Sequence, residues 1–529
     1  MPTDCISYQE SGYFSPLMKD YLNQESNLQS LYNHFPVLEN FEKQLVEKQA
    51  SYDSNSRATL VSVLHQQYKK STISSLTHQN IEALGTSNTF TVTTGHQLNL
   101  FSGPLYFLYK IISTINLTNE LKANYPAYNF VPIYWMATED HDFDEINYFN
   151  FKGKKFRWNT ESTGPVGRLS TNGLDEFFEI FKLELGHTTN ADKLKIYFQD
   201  AYLQHSNLAD ATRHLANALF GEYGLVIIDA DNKDLKQLFT SFIKEELTQQ
   251  TAHKAVSETI KKISDYNIQV NPREINLFYI EDNLRERIVF ENGKYLVNNT
   301  TIEFSEKEIL ALVDANPEKF SPNVIMRPLY QEVILPNLCY IGGGGEIAYW
   351  LELKSFFDTV KVTFPMLLVR NSVLLATRKQ VSKAEKLGLS WSDLFANQTY
   401  LENQLTQKLS SFSIDLTPQK EQLQKQFKAL FEIALQTDKS FVGAVKAQET
   451  KQIKGLENLE KRLLKAQKRK LKDELERTTD LQNELFPNKS LQERQNNFSE
   501  FYLDQGQQLI PKLIDSLKPL EQQFNIVIL

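Results

Sequence analysis

The feature that most constrains the fold is a pair of short apolar runs that each lead into polar residues. The run NFVPIYWM (129–136) leads through one alanine into TEDHD, and the run LVII (225–228) leads into DAD. Uninterrupted apolar runs of this length are typical of strands buried on both faces of a parallel sheet. Stretches of helical periodicity separate them. We therefore predict an α/β fold, a Rossmann-like core with an open parallel sheet and polar residues at its carboxyl edge.

The same alternation of strand and helix extends over most of residues 1–385, the predicted core. Residues 1–85 are predicted to be helical from their apolar spacing. The further predicted elements are strands at 89–93, 338–341 and 362–369, and helices at 104–121, about 208–223 and 347–357. A β-rich insertion is predicted at about 147–320, with a hairpin at 147–170 and a meander of four short runs, INLFYIED, ERIVFE, KYLVN and TIEF.

The texture of the sequence changes near residue 386, where Gln, Lys, Glu and Leu become frequent. Thr417-Pro418 is typical of a helix start. A second helix then has apolar residues at a 3-3-4-3 spacing from Ile453 to Ala466. This spacing predicts an antiparallel α-helical hairpin or a coiled coil over 386–515. Residues 516–529 are predicted to be a C-terminal tail that ends in a strand, NIVIL.

Charge and composition exclude several classes of function. The net charge of −8 and the pI of about 5.8 argue against a protein built to bind nucleic acid. The basic stretch KRLLKAQKRKLK keeps helical spacing and is flanked by acids, so a solvated coiled-coil face explains it. Two cysteines cannot form a disulfide framework or a cysteine-based zinc site. The pattern of a signal peptide and a run able to span a bilayer are both lacking, so we expect a cytoplasmic protein with no membrane partner.

A first polar cluster, TTGHQLN, lies between a predicted strand and a predicted helix. It contains Thr94, His96, Gln97 and Asn99. A helix that begins near Gly103 would direct free N–H groups and the positive end of its dipole into the same space. The cluster could then bind an anion, with His96 donating a hydrogen bond or moving a proton near neutral pH. The alternative is a loop whose polar groups cap the helix and satisfy each other.

A second cluster is the acidic run that directly follows the buried strand at 129–136. Its members are Glu139, Asp140, His141, Asp142, Asp144 and Glu145. Carboxylates this close repel one another unless a cation lies among them, such as a substrate ammonium, a basic side chain or Mg²⁺. A solvated acidic loop is the alternative. Zinc is disfavoured because His96 and His141 share no metal-binding spacing.

A third motif is YIGGGGEIAYW, a predicted strand, four glycines and a predicted helix. The glycines would let the backbone approach a ligand, and the helix start would offer N–H groups. Neither the P-loop lysine nor the dinucleotide-binding pattern follows, and a packing turn is the alternative. Arg327 and Arg370 flank the motif and could bind carboxylates or pair with structural acids. Cys339 lies within the predicted strand and is expected to be a buried spectator.

Taken together, TGHQLNLFSGPLY, PIYWMATEDHDFDEIN and YIGGGGEIAYWLELK resemble the cysteine-adding enzymes of bacillithiol biosynthesis, the BshC or cysteine ligase family. The resemblance extends over the whole chain, including the C-terminal coiled coil. One departure is Gly344, which stands where the family commonly has the proline of a Gly-Gly-Pro-Gly-Glu turn, and it loosens the loop. The resemblance implies a Rossmann-like core, a dimer formed through the coiled coil, and a ligase that joins L-cysteine to the amine of glucosaminyl-malate, giving the thiol bacillithiol.

The resemblance also implies roles for the three motifs. The cysteine ammonium would suit Glu139, Asp140 or Asp142, with Thr94 as a further substrate contact. The two malyl carboxylates would suit the arginines and the glycine turn with its helix, namely Arg327, Arg370, Gly343, Gly344, Gly345, Glu346 and Tyr349. The group that stabilises developing negative charge would be His96 with Gln97 and Asn99, and the base would be His141 or Asp144.

Activation of the cysteine carboxylate stays open at the level of sequence. An ATP-driven route through cysteinyl-adenylate is one option, although no lysine loop of the KMSKS type is present. Mg²⁺ would suit the carboxylates at 139–144, but no motif requires it. Two rival functions also remain, a nucleotidyl- or glycosyl-transferase that uses the same cleft and a non-enzymatic coiled-coil scaffold.

Overall fold

The computed structural model describes residues 4–529. The strands are β1 (Asp4–Ser7), β2 (Thr89–His96), β3 (Asn129–Met136), β4 (Tyr148–Phe151), β5 (Lys154–Arg157), β6 (Val226–Asp229), β7 (Leu277–Glu281), β8 (Leu284–Glu291), β9 (Lys294–Val297), β10 (Glu303–Phe304), β11 (Phe320–Pro322), β12 (Asn337–Gly342), β13 (Met366–Val369), β14 (Ser372–Ala376) and β15 (Gln523–Ile528).

The helices up to residue 360 are α1 (Tyr8–Ser11), α2 (Pro16–Leu22), α3 (Phe41–Ser51), α4 (Asn55–Tyr68), α5 (Ser75–Ala83), α6 (Tyr106–Asn124), α7 (Phe143–Ile146), α8 (Leu174–Leu185), α9 (Thr189–Phe198), α10 (Leu208–Phe220), α11 (Lys233–Gln237), α12 (Thr240–Gln249), α13 (Thr251–Lys262), α14 (Glu306–Ala315), α15 (Met326–Ile334), α16 (Gly344–Leu351) and α17 (Lys354–Val360). Those that follow are α18 (Arg378–Leu387), α19 (Trp391–Phe395), α20 (Gln398–Leu409), α21 (Thr417–Ala434), α22 (Lys439–Lys470), α23 (Lys472–Leu485), α24 (Gln492–Gln495), α25 (Phe498–Gln505) and α26 (Leu509–Ser516).

The central sheet confirms the predicted Rossmann-like core. Its five strands are all parallel, in the order β13-β12-β2-β3-β6. Every residue of β2 is buried, as is every residue of β3 after the first, because helices cover both faces of such a sheet. The segment NFVPIYWM is therefore apolar for the predicted reason, which is the burial of β3 on both faces of the sheet. The helix expected at 104–121 is α6, which is buried along most of its length.

The order of the strands determines where a ligand can bind. From β2 the chain moves outward through β3 to β6, and it later returns to the opposite side of β2 with β12 and β13. The connections after β2 and β12 therefore leave in opposite directions. A crevice opens at such a switch point, beyond the carboxyl ends of the two strands. His96 ends β2 and Gly342 ends β12.

The expected β-rich insertion contains the predicted meander. Strands β7 to β10 are antiparallel neighbours, and β11 completes a sheet of order β10-β9-β8-β7-β11. The turn between β8 and β9 has Asn292 and Gly293 at φ of 52° and 77°, the left-handed conformation that this pair adopts easily. Strands β4 and β5 form the predicted hairpin.

A second compact unit covers residues 376–489 together with 10–12. Its longest helices are α21 and the 32-residue α22, which contact each other through a cluster of apolar side chains. That cluster contains Leu423, Phe427, Phe431, Ala434, Val442 and Val445. Asp438 caps α22 by accepting hydrogen bonds from the N–H groups of Ser440 and Phe441. The helical hairpin expected from the sequence is therefore present.

The C-terminal 40 residues, 490–529, belong to the first unit, with residues up to 9 and 13–375. The sequence predicts that the helical unit ends at 515. Helices α24, α25 and α26 do lie between residues 492 and 516, yet they belong to the first unit. The boundary between the two units is set by which residues pack together and not by where the helices end. Strand β15, in the predicted tail, pairs with β1 in a sheet of order β1-β15-β14, and Glu493 forms a buried ion pair with Arg370.

Two searches of residues 4–529 gave negative results. None of the helices combines the length and the apolar character that a membrane span requires. Within the same range, no group of three or more His, Cys, Asp or Glu side chains is placed to hold a metal ion.

Candidate active site

A cavity of about 830 Å³ lies at the switch point of the central sheet. It is bounded by the carboxyl ends of β2, β3 and β12, the start of α16, and the meander of the insertion. The residues that line it include Gly95, His96, Gln97, Tyr106, Lys110, Glu139, Asp140, His141, Asn271, Arg273, Arg285, Arg287, Asn323, Arg327, Tyr340, Gly343, Gly345, Glu346, Tyr349, Arg370 and Arg494. All three sequence motifs therefore contribute to one cavity.

The charged side chains of the cavity are mostly basic. Three lining residues are acids, Glu139, Asp140 and Glu346, whereas seven are lysine or arginine, Lys110, Arg273, Arg285, Arg287, Arg327, Arg370 and Arg494. Four of the seven basic side chains have protein partners, which leaves Arg273, Arg287 and Arg494. In the part of the chain that the structure describes, these three guanidinium groups form no ion pair or side-chain hydrogen bond. The cavity therefore favours a ligand with several negative charges.

His96 lies at the end of β2 with 6% of its surface exposed. Its ring packs against Tyr106 and Phe107, with centroid distances of 5.3 and 5.0 Å. Burial, together with the positive charge of Lys110, holds the pKa of His96 well below its usual value of 6.5, so the ring is neutral at physiological pH. Its Nε2 is buried and has no hydrogen-bond partner among the described residues.

Lys110 and Glu346 form an ion pair beneath the glycine turn. Lys110 projects from α6, and its Nζ lies 2.6 Å from Glu346 Oε1 and 2.7 Å from the carbonyl oxygen of Gly95. Tyr340 donates to Glu346 Oε2 at 2.9 Å, and the Gly343 N–H donates to Oε1 at 3.3 Å. Burial opposes ionisation of Glu346, but Lys110 and the hydrogen bonds from Tyr340 and the Gly343 N–H together outweigh it, and the pKa of the carboxyl is lowered.

This arrangement bears on the expectation that the start of α16 receives a substrate carboxylate. The carboxylate of Glu346 accepts one N–H group there, that of the capping residue Gly343, as in a capping box. Binding of a substrate carboxylate at the other N–H groups stays a prediction. Gly343 and Gly345 line the cavity, but Gly344 does not. Gly344 faces a smaller pocket of about 140 Å³, where an added Cβ would lie 3.5 Å from Met18. A side chain there would make ordinary van der Waals contact.

The two predicted arginines differ in how much of each guanidinium is available. Arg370 is 4% exposed and binds Glu493 through both terminal nitrogens, at 3.0 and 2.6 Å. Its Nε has no partner among the described residues. Arg327 donates to Gln331 at 3.0 Å and to Tyr349 at 3.2 Å. Both arginines line the cavity, but Arg370 also forms a buried ion pair with Glu493.

The acidic run is divided by the fold. Glu139 forms a buried ion pair with Lys236, and Asp140 accepts a 2.5 Å hydrogen bond from Gln97. Arg285 Nη1 lies 2.7 Å from Nδ1 of His141. An arginine can only donate, so this contact occupies the lone pair of Nδ1.

The ionisation states within the acidic run differ as well. Burial opposes ionisation of Asp140, yet the charge of Arg285 and hydrogen bonds from Gln97 and from the backbone N–H of His141 lower its pKa well below the usual value. Burial raises the pKa of Glu139 despite the charge of Lys236. His141 is poorly placed to act as the base, because the contact with Arg285 already uses the lone pair of its Nδ1.

Besides Gly344, four residues predicted for the site lie outside the cavity. Thr94 is buried and donates its hydroxyl to the carbonyl oxygen of Ile341 at 2.8 Å, which joins β2 to β12. Asn99 donates to the carbonyl oxygen of Glu145 and faces a separate pocket. Asp144 is 79% exposed in an ion pair with Arg157, and Asp142 is exposed.

The helix after the first motif also differs from expectation. It begins at Tyr106, and the N–H of Leu105 just before it donates to the carbonyl oxygen of Asn496 at 2.9 Å. Asn497 further donates to the carbonyl oxygens of Phe101 and Gly103. The N–H of Leu105 is therefore not available to bind an anion.

Several lining residues were not predicted from the sequence. The unpredicted basic residues are Lys110, Arg273, Arg285, Arg287 and Arg494. Lys110 gave one usable signal, because a lysine stands within the apolar start of α6, YFLYKII. The arginines gave none, since they come from the insertion and from the C-terminal segment, whose positions only the tertiary fold determines.

The fold and the cavity define a class, a Rossmann-like α/β protein with a cationic cleft at its switch point and a separate helical unit. Residues 1–371 match the family model described as bacillithiol biosynthesis BshC, N-terminal Rossmann-like domain. Residues 373–529 match the model for the C-terminal coiled-coil domain of the same family. The chain therefore belongs to the BshC family of bacillithiol biosynthesis, as the resemblance of its motifs indicated.

Relatives agree over the full length of the chain. A protein of Flavobacterium johnsoniae is 71% identical over 527 residues, covering 100% of both chains. One of Flavobacterium psychrophilum is 63% identical and covers 100% of this chain and 99% of its own. One of Bacillus anthracis is 30% identical over 525 residues and covers 94% of each. All three bear the name "Putative cysteine ligase BshC".

Proposed function

We propose that this protein is a ligase of bacillithiol biosynthesis that joins the carboxyl group of L-cysteine to the amine of glucosaminyl-malate through an amide bond. The names of its relatives support a cysteine ligase. The observation that carries the proposal is the cavity, in which basic side chains outnumber acids and three guanidinium groups have no side-chain partner within residues 4–529. A malyl group brings two carboxylates, the anions that a planar guanidinium binds best.

The acceptor is positioned by its malyl group in this proposal. Arg273 and Arg287 belong to the insertion, whereas Arg494 comes from the C-terminal segment. Arginines on different elements can hold the two carboxylates from different directions, which fixes the orientation of the amine relative to β2. The ammonium group of L-cysteine would lie beside Asp140, whose low pKa keeps it ionised.

Amide formation requires one proton to leave the attacking amine and one oxygen to leave the cysteine carboxyl group. Once the new C–N bond forms, the nitrogen becomes strongly acidic, so even a weakly basic neutral imidazole can accept its proton. His96 lines the cavity, and we propose its Nε2, which is buried and has no hydrogen-bond partner among the described residues, as the acceptor. The Nε–H of Arg370 would donate to the developing oxyanion.

The departing oxygen needs an activating group, because a carboxylate does not release oxide. We propose ATP as the cosubstrate, with its phosphoryl or adenylyl group carrying the oxygen away, and Mg²⁺ accompanying the phosphates. The surplus of basic side chains would accommodate the phosphates as well. Gln97, hydrogen-bonded to Asp140, would keep that carboxylate directed at the cysteine ammonium.

The direct test is incubation of the purified protein with L-cysteine and glucosaminyl-malate, with and without ATP and Mg²⁺, followed by mass spectrometry. We expect a product whose mass is the sum of the substrates minus one water, formed only with ATP. His96→Ala should remove product formation while circular dichroism stays unchanged. Transfer of a nucleotidyl or glycosyl group to either substrate would support the rival transferase, and an inert protein would support the scaffold.

A test in cells complements this assay. Deletion of the gene in its host should remove bacillithiol and cause glucosaminyl-malate to accumulate, which thiol profiling measures. Normal thiol pools in the deletion strain would contradict the proposal. A plasmid with the wild-type chain should restore the thiol, whereas the His96→Ala chain should not.

We further propose that the protein acts in the cytoplasm as a homodimer formed through its helical unit. The α21 and α22 hairpin exposes large apolar side chains, among them Leu430, Ile433, Leu435, Phe441 and Leu459. A patch of this kind is more often covered by a partner than left in water. Light scattering should give twice the mass of 61.2 kDa, and Ile433→Asp should lower it towards one chain.

A further inference from the structure

One segment of the cavity wall has no regular secondary structure, yet buried groups hold it at both ends. This segment, which we call the strap, covers residues 267–276, between α13 and β7. Its middle residues Asn271 and Arg273 line the cavity beside Arg287 of β8. A loop without its own hydrogen-bond ladder depends on outside contacts for its position.

The first anchor of the strap is Glu352, which follows α16 and is completely buried. Its Oε1 accepts the N–H of Gln269 at 2.7 Å, and its Oε2 accepts the N–H of Val270 at 3.2 Å. Both carboxylate oxygens thus bind consecutive backbone amides just before the cavity-lining residues. A buried carboxylate is costly, and its use to hold a loop suggests that the loop position matters.

The second anchor is Asn276, completely buried, together with Glu246 of α12. Glu246 Oε1 accepts from both the N–H and the Nδ2 of Asn276, at 3.0 and 2.7 Å. Asn276 in turn accepts the N–H of Arg273 at 3.1 Å and donates to the carbonyl oxygen of Arg273 at 2.8 Å. The backbone of Arg273 is therefore fixed from its C-terminal side.

We propose that Glu352 is a positioning residue, which holds the strap so that Arg273, with Arg287, forms a subsite for one carboxylate of the acceptor substrate. Glu352 contacts neither the substrate nor the reacting atoms; it acts through the backbone at 269–270. The two arginines that it serves carry no protein partner among the described residues, so a ligand anion can complete them. The identity of that anion rests on the proposed function, while the anchoring does not.

The test begins with the free protein. Glu352→Gln keeps the size of the side chain but replaces the carboxylate, which accepts two amides, by a single carbonyl oxygen. Hydrogen–deuterium exchange at 269–270 should become about tenfold faster, while exchange in β2 stays unchanged. The matched control is Glu274→Gln, the same chemical change on the same strap at an exposed side chain, and it should leave exchange at 269–270 as in the wild type. If the glutamine variant does not fold, Glu352→Asp, which shortens the side chain by one methylene, takes the place of Glu352→Gln in each experiment.

The functional arm measures the KM for glucosaminyl-malate. Glu352→Gln should raise KM about tenfold with little change in kcat, because orientation of a binding group is lost and the chemistry is not. Arg273→Ala should raise KM to a similar extent. Adding Glu352→Gln to Arg273→Ala should then change KM less than twofold, because both act through one guanidinium. Additive effects would overturn the proposal, as would faster exchange with an unchanged KM.

Calorimetric titration with L-malate separates this proposal from the proposed function. If wild-type protein has no ligase activity but binds L-malate, and Glu352→Gln weakens that binding about tenfold, the strap proposal stands and the proposed function fails. If the wild type is an active ligase and Glu352→Gln leaves KM unaltered, the reverse holds. A wild-type protein that neither turns over nor binds L-malate overturns both.

Discussion

Replacement of Lys110 by methionine tests whether the charge network beneath the glycine turn determines the stability of the Rossmann-like unit. Methionine keeps most of the apolar length of the side chain and removes the ammonium group. Lys110 is 3% exposed, and its Nζ lies 2.6 Å from Glu346. Without the lysine, Glu346 keeps the hydrogen bond from Tyr340 but loses the charge that compensates its burial.

The expected magnitude follows from the exposure of the two partners. Removing one member of a fully buried ion pair costs about 3–5 kcal/mol, since a charge is left uncompensated. The side chain of Glu346 is 29% exposed, so water recovers part of that cost. We therefore expect the free energy of unfolding to fall by about 2–3 kcal/mol at pH 7.

The loss should depend on pH. With Lys110 present, the pKa of Glu346 is lowered, so this carboxyl stabilises the fold above its unfolded pKa of 4.5. Without Lys110, burial raises the pKa of Glu346, and the pH dependence of its contribution to stability reverses in sign. The folded state then favours the protonated carboxyl, whose contribution is retained at low pH and lost as pH rises. The difference between variant and wild type should be smaller at pH 5 than at pH 8.

Urea unfolding followed by tryptophan fluorescence measures this quantity. Of the four tryptophans, only Trp391 lies in the helical unit, so a Trp391→Phe background restricts the signal to the unit that contains Lys110. The double variant Lys110→Met with Glu346→Gln removes both charges and should regain most of the lost stability. Equal stability of Lys110→Met and its parent, or a double variant whose loss equals the sum of the single losses, would refute the reasoning.

The remaining predictions concern other groups of the same unit. Nitrogen-15 NMR of the His96 ring should show a neutral imidazole from pH 8 down to pH 6, because burial and Lys110 lower its pKa; a titration midpoint near 6.5 would contradict this. Burial raises the pKa of Glu352 from 4.5 to about 7, so its contribution is complete below pH 4.5 and lost as pH rises through 7. Glu352→Gln should therefore flatten the fall in unfolding free energy between pH 5 and 8 by about 2 kcal/mol, and an unaltered slope would count against this prediction. Arg287→Gln should raise KM for glucosaminyl-malate about tenfold with kcat nearly constant, whereas Lys294→Gln, an exposed change in the next strand, should alter neither.

The order of elements in the core could be predicted because each strand corresponds to a short apolar run in the sequence. The run at 129–136 is β3 to the residue, and the expected strand at 338–341 is the middle of β12. Polar residues after β2 and β3 had to meet, because parallel strands end at one edge. His96 and Asp140 therefore lie in one cavity, as expected from the sequence.

The roles of individual polar groups could not be predicted in the same way, because a hydrogen-bond partner far along the chain decides them. Thr94 donates to Ile341, and Arg370 is bound by Glu493 from 123 residues away. The start of α16 offers N–H groups in any sequence of this pattern, but the charge that Glu346 places beside them is balanced by Lys110, which comes from a distant helix.

The fold class, the helical hairpin and the edge of the sheet where polar residues gather follow from the sequence, because the periodicity of apolar residues is a local property. Which charges face the cavity depends on how the whole chain folds. Arg287 and Arg494 reach it from the insertion and from the returning C-terminal segment, so their positions depend on how distant elements pack. Charges act through space, and their sum at one point appears only when the chain is folded.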